Sequence, residues 1–167
     1  MLIQLRSVFM AVLLLLVTPT LGLAQGTQVA FGGLKHDSSL PVELSSDQLQ
    51  INQEDGSAVF SGNVVIGQGT MRLSANKVVV EYTQNSGQRK ISKLHATGNV
   101  ILVNGAEAAE AQNAIYSIDS GNIVMTGGVI LTQGGNALSS NRMVVDLNTG
   151  QATLEGRVKS ILQTGNN

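Results

Sequence analysis

The sequence predicts an all-β fold built from repeats, and three observations lead there. Two short motifs recur four times at a regular spacing. Apolar residues alternate with period two, or run unbroken for five to seven positions, before each turn signal. Turn signals such as Asp55-Gly56, Asn104-Gly105, Ser120-Gly121-Asn122 and Asn148-Thr149-Gly150 return at short intervals, and no segment beyond the N-terminus carries a sustained helical stripe.

At the N-terminus, the segment from Met1 to Ala24 has the layout of a secretory signal peptide. Arg6 lies in a short basic region, Val8–Val17 forms an apolar run, Thr18-Pro19-Thr20 breaks it, and small residues stand at Gly22 and Ala24. The run is shorter than the roughly 18 to 20 residues that span a bilayer, so cleavage after Ala24 is expected; retention would turn it into an anchor. Residues 25–39 read as a flexible lead-in, 40–162 as the folded domain, and 163–167 as a disordered tail. An export signal without any cysteine suits a Gram-negative periplasm and a soluble product.

Composition narrows the function. Ten Lys and Arg against eleven Asp and Glu leave a formal charge of −1, which offers no basic field for nucleic acid. Aromatic residues are 3% of the chain, so the core is expected to be aliphatic, and the 19 glycines mark frequent turns.

The first marker of each repeat is a glycine in a small-Gly-x-Val step: Gly62, Gly98, Gly127 and Gly156. The second is Asp, Asn or Gln after a small residue: Asp47, Asn76, Gln112 and Asn141. The steps from Asp47 to Gly62, from Gln112 to Gly127 and from Asn141 to Gly156 are equal in length. So are those from Gly62 to Asn76, from Gly98 to Gln112 and from Gly127 to Asn141. Together the two steps set a period of about 29 residues, within the range of stacked β units. Only the step from Asn76 to Gly98 is longer, by seven; this insertion falls within Thr83–Ser92 and reads as a lengthened polar hairpin. About three strands per unit predicts roughly 12 to 16 short strands. Such units stack into a solenoid or an open-ended jelly roll whose last strands expose edges. The last repeat, Gln151–Leu162, and the first, Leu40–Ile51, are then expected to join copies head to tail in a contact that does not close.

Period-two counting from the markers puts one set of apolar side chains on a common face. From the second markers these are Leu49, Ile51, Val78, Val80, Tyr82, Tyr116, Ile118, Met143, Val145 and Leu147. From the glycines they are Val64, Ile66, Val100, Leu102, Val129, Leu131 and Val158, joined by Val42, Leu44 and Leu73. They form either a close-packed core or an apolar groove. The only cationic cluster is Arg89-Lys90 with Lys93, either a solvated hairpin tip or a phosphate contact.

Catalysis finds little support. His36 and His95 have no partner at metal-ligand spacing, and Glu107 and Glu110 lie in an alanine-rich stretch with nothing to shift a pKa. No metal, cofactor or catalytic residue is expected.

Pro41-Val42-Glu43-Leu44-Ser45-Ser46-Asp47-Gln48-Leu49, then Ala58–Thr70 with its Phe60-Ser61-Gly62-Asn63-Val64 and Gln68-Gly69-Thr70 steps, then Ala75-Asn76-Lys77-Val78-Val79-Val80, together resemble the OstA-like family over roughly residues 38–160. The resemblance implies a jelly roll of two antiparallel sheets opened into a V, stacked into a periplasmic bridge that carries lipopolysaccharide between the membranes. On that reading the common face is a lipid groove for lipid A acyl chains, and Arg89, Lys90 and Lys93 are weak phosphate contacts. The implied partners are lipopolysaccharide, the OstA-like domains of LptC-like inner-membrane and LptD-like outer-membrane components, and further copies of the chain. Three other readings stand beside it: a non-lipid-binding β-repeat filament, a membrane-anchored LptC-like component if the signal is retained, and a polysaccharide-active solenoid, for which no column of carboxylates is present.

Overall fold

The computed structural model describes residues 26–31, 37, 39–85 and 87–163. The expected signal segment, His36 and the last four residues lie outside these. The strands are β1 (Thr27–Ala30), β2 (Glu43–Ser45), β3 (Gln48–Ile51), β4 (Ala58–Gln68), β5 (Met71–Asn85), β6 (Gln88–Asn104), β7 (Glu107–Ser117), β8 (Asn122–Gln133), β9 (Asn136–Asp146), β10 (Gln151–Glu155) and β11 (Lys159–Ile161). They form one antiparallel sheet in the order β1-β10-β9-β8-β7-β6-β5-β4-β2, with β3 also on β4 and β11 also on β9.

The strands β4 to β9 are 11 to 17 residues long, two to three times the usual ~5–6. Each is interrupted near its middle by a register shift at the markers. Ser61 pairs with Lys77 and Val64 with Ala75, so Gly62-Asn63 oppose Asn76 alone. The same two-against-one step sets Gly98-Asn99 against Gln112 and Gly127-Gly128 against Asn141. An extra residue on one strand bends it and raises its twist. The bulges line up from strand to strand, so the whole sheet folds along one line into two arms.

The markers owe their residue types to this corner. Gly62, Gly98, Gly127 and Gly156 have φ of 76°, 77°, 90° and 75°, and the next residues Asn63, Asn99, Gly128 and Arg157 are also left-handed. Two consecutive residues in that region strongly favour glycine, with asparagine the best-tolerated alternative. A Cβ on any of the four would meet the second marker of its own unit: Asp47 Oδ2 at 2.5 Å, Asn76 Nδ2 at 2.7 Å, Gln112 Cβ at 2.8 Å and Asn141 Nδ2 at 3.0 Å. The sequence repeat is therefore a contact repeat along the corner.

Counted this way, β2 with β3 is one bent strand and β10 with β11 another, giving eight bent strands in four pairs. Among the described residues there are eleven strands, fewer than the 12 to 16 short ones expected, because most strands run on through the corner rather than stopping there. The seven-residue insertion prolongs the β5–β6 hairpin, which pairs out to Asn85 and Gln88.

Side chains facing inward pair in rows across the sheet. One row runs Leu49, Phe60, Val78, Ala96, Ala114, Met125, Met143, Leu154, Thr27; the next runs Ile51, Ala58, Val80, Leu94, Tyr116, Ile123, Val145, Ala152, Val29. On the second arm Leu44, Ile66, Leu73, Leu102, Ala109, Leu131 and Leu138 form the matching row. The two arms enclose one apolar core.

One expected boundary needs correction. The segment 25–39 was expected to be flexible throughout, but Thr27–Ala30 is a strand paired along β10, and Phe31 is fully buried. Pairing of four consecutive residues together with burial of an aromatic ring outweighs the polar composition of the surrounding segment.

Candidate functional site: an apolar interior open at one end

Thirteen of the twenty residues expected on the common face are at most 1% exposed: Val64, Ile66, Leu73, Val78, Val80, Val100, Leu102, Tyr116, Val129, Leu131, Met143, Val145 and Leu147. Val42, Leu44, Tyr82, Ile118 and Val158 are half-buried against them. Leu49 and Ile51 share the inward parity, yet are 52% and 66% exposed because β3 is an edge with no further strand beside it among the described residues. The parity is thus as counted, while the side chains are packed against one another rather than spread along an open groove.

Counting forward from the markers missed the inward residues that precede them: Ala58 and Phe60, Leu94 and Ala96, Ile123 and Met125, and Ala152 and Leu154. The same period-two count carried backward from each glycine would have found them. It would not have found Gln68, a polar residue 1% exposed. Its side chain joins three parts of the fold. The Tyr116 hydroxyl, from the first arm, donates to Gln68 Oε1 on the second arm at 2.6 Å, and Gln68 Nε2 donates to the Leu40 carbonyl at 2.8 Å. Burial pushes the Tyr116 phenol up to about 12, against the opposing pull of the Gln68 hydrogen bond.

The two ends differ. At the β1 end Phe31 is buried, its N–H donates to the Gly150 carbonyl at 2.8 Å, and Gln133 Nε2 donates to the Ala30 carbonyl from the other arm. At the β3 end Leu40, Leu49 and Ile51 present apolar surface to solvent. Among the described residues, the first arm of the interior is covered by β1 at one end and has no such cover at the other.

The three expected phosphate contacts do not converge. Arg89 lies with its guanidinium 3.9 Å above the Tyr82 ring and beside Gly56, where an added Cβ would meet Arg89 Nη2 at 2.8 Å. Lys93 pairs in register with Glu81, and Lys90 with Thr83, on the opposite face of the hairpin from Arg89. Period-two geometry sends consecutive Arg89 and Lys90 to opposite faces. Close by, the Ser57 N–H donates to Asp55 Oδ1 at 2.8 Å, and that bond, more than Arg89, holds the Asp55 carboxyl below its usual range.

Glu107 and Glu110 also part, since Glu107 shares the inward parity of Ala109 while Glu110 pairs with the exposed Ile101 and Ile130 on the outer face. His95 is on the outer face, its Nε2 3.0 Å from Glu81 Oε1. Among the described residues no three His, Cys, Asp or Glu side chains are grouped as a metal site. The clefts on the outer face follow the corner: one of about 430 Å³ around Asn99, Ile101, Glu110 and Gln112, another of about 340 Å³ around Ile130, Ser139, Arg157 and Lys159.

A folded open sheet with one apolar interior, four bulged repeats and no catalytic cluster among the described residues leaves the choice of family to comparison. A family model described as LptA/(LptD N-terminal domain) LPS transport protein matches residues 43–151. The chain belongs to that family. An uncharacterized protein of Rhizobium meliloti is 32% identical over 108 residues, covering 62% of this chain and 58% of its own length. The lipopolysaccharide export system protein LptA of Escherichia coli K12 is 39% identical over 44 residues, 26% of this chain and 24% of its own. The chain thus spans well under two thirds of these curated relatives. The crystal structure of LptH, the LptA-homologous periplasmic component of the lipopolysaccharide transport device of Pseudomonas aeruginosa, superposes with a TM-score of 0.66 at 18% identity, over 77% of this chain and 99% of that one. The LptA-like fold is an open antiparallel sheet, not closed into a barrel, and the family is one of transport rather than catalysis.

Proposed function

We propose that the chain is a periplasmic bridge protein that shields lipopolysaccharide between the inner and outer membranes, holding the acyl chains of lipid A between its two arms. The observation that carries this reading is the pair of apolar rows that run without a charged residue from β3 to β1 and end at one side in exposed Leu49 and Ile51. Each methylene moved from water into such an interior contributes about 0.8 kcal/mol, so part of one acyl chain is worth several kcal/mol with no polar recognition. The interior is packed, so entry requires the arms to part. The β3 end, where Leu49 and Ile51 have no further strand beyond them among the described residues, is where parting costs least. Its partners on this reading are LptC-like and LptD-like domains of the same family at the two membranes, and further copies joined head to tail. The signal-like N-terminus and the family's LptH member, described as periplasmic, support the location.

The test is photo-crosslinking in Gram-negative cells with a benzophenone side chain at Ile51, Val80, Tyr116 or Val145, and at the outward Val79 as control. Lipopolysaccharide adducts at the inward positions and none at Val79 are expected. Absence of adducts at all inward positions, in a protein that still joins end to end, would replace lipid carriage with the structural-filament reading.

A further inference from the structure

The four repeats end on a strand that the chain itself covers. Along the sheet, each repeat joins the next by one rule: the residue before a corner glycine pairs with the residue after the next second marker. Ser61 pairs with Lys77, Thr97 with Asn113, and Thr126 with Arg142. On the other arm, the second residue after the glycine pairs with the residue before the marker: Val64 with Ala75, Val100 with Ala111, Val129 with Ser140. Applied to the last glycine, Gly156, and the first marker of another copy, Asp47, the rule sets Leu154, Thr153 and Ala152 opposite that copy's Leu49, Gln50 and Ile51. On the second arm it sets Lys159 and Ile161 opposite that copy's Ser45 and Glu43, and Arg157 opposite its Asp47, so a basic corner meets an acidic one.

In this chain those positions on β10 are already taken. β1 pairs Leu154 with Thr27, Thr153 with Gln28, and Ala152 with Val29. Residue for residue, Thr27-Gln28-Val29 stands where Leu49-Gln50-Ile51 of a second copy would stand, with a β-branched or aliphatic side chain inward, a glutamine outward and an aliphatic side chain inward again. On the second arm no such cover exists among the described residues, and β11 is a free edge.

We propose that β1 is an internal mimic of β3 that caps the C-terminal edge, and that a second copy of this chain joins there by displacing β1 and inserting its own β3. The exchange covers Leu49 and Ile51, the exposed inward residues of the free β3 edge, and continues both arms and the apolar interior across the junction. Because β1 is tethered, it competes at an effective concentration on the order of mM, so assembly sets in only when copies are concentrated or their edges are presented to one another. The inference rests on the head-to-tail part of the proposed function and is independent of lipid carriage.

The chain has no cysteine, so a lock is simple to introduce. Gln28→Cys with Thr153→Cys places two thiols on facing residues of β1 and β10, outside the core, at a separation within disulfide reach. Sedimentation equilibrium of the purified double variant, oxidised and then reduced, reads the effect, with Val29→Asp as a variant that loosens β1. The oxidised form is expected to stay monomeric to concentrations at least tenfold above those at which the reduced form assembles, and Val29→Asp to assemble at lower concentration than the unaltered chain. Equal assembly of oxidised and reduced protein overturns the cap while leaving head-to-tail joining in place. No assembly by any form, up to concentrations on the order of the mM tether value, overturns both and leaves lipid capture to be judged by its own experiment.

Discussion

The Tyr116 hydroxyl donates to Gln68 Oε1 at 2.6 Å across the interior, from the first arm to the second, over 48 residues of sequence. Both groups are almost fully buried, and Gln68 also holds the Leu40 carbonyl. This is a buried polar tie within a largely aliphatic interior, away from the β1 end where Gln133 Nε2 donates to the Ala30 carbonyl.

Tyr116→Phe removes the buried hydrogen bond to Gln68, which costs about 1–3 kcal/mol. Urea denaturation of the two proteins at neutral pH measures it. The phenol is raised from 10.0 to about 12 on folding, so the folded state holds its proton where the unfolded chain has lost it. The stability this contributes is fully present below pH 10 and is lost as pH rises towards 12, with a slope approaching about 1.4 kcal/mol per pH unit. The phenylalanine variant is expected to lack this component, so the difference between the two proteins narrows across that window.

Gly98→Ala puts a Cβ 2.7 Å from Asn76 Nδ2 on a residue with φ of 77°. Left-handed strain of about 1–2 kcal/mol adds to the clash. Thermal unfolding is expected to show a loss of about 2 kcal/mol or more. Gly105, with a positive φ and open space around it, is expected to lose less on the same change.

Leu102 and Ile101 are neighbours on β6 that face opposite ways, 0% and 40% exposed. Leu102→Ala is expected to destabilise by about 2–5 kcal/mol, and Ile101→Ala by under about 1 kcal/mol. Equal losses in denaturant titrations would mean the arms do not enclose a common core.

Arg89→Ala removes the cation over the Tyr82 ring at the solvent-exposed hairpin and is expected to cost about 0.5–1 kcal/mol. With Arg89 on the opposite face of the hairpin from Lys90 and Lys93, lipid crosslinking at Val80 is expected to be unchanged in this variant. A several-fold drop would restore Arg89 as a phosphate contact.

The inward parity of the strands was legible in the sequence because side chains alternate by geometry alone, and the four glycines anchor the count. Val78, Val100, Val129 and Val145 all fall where that count puts them. The all-β class followed from the same periodicity, and the family from Phe60–Val64, Gln68–Thr70 and Ala75–Val80. The number of strands did not follow, because a turn signal and a bulge share the same glycine in the sequence. Only pairing shows that Gly62, Gly98 and Gly127 bend a strand without ending it.

What the sequence determined by itself is local: where the chain turns, which side chains share a face, and the regular spacing of markers that makes similar units stack. The tertiary structure decided what depends on segments far apart in the chain. It brought Gln68 to Tyr116 and laid Thr27–Ala30 along β10 at the far end of the sheet from β2. Periodicity carries no information about such meetings, since each is set by which surfaces remain unpaired once the repeats have folded against one another.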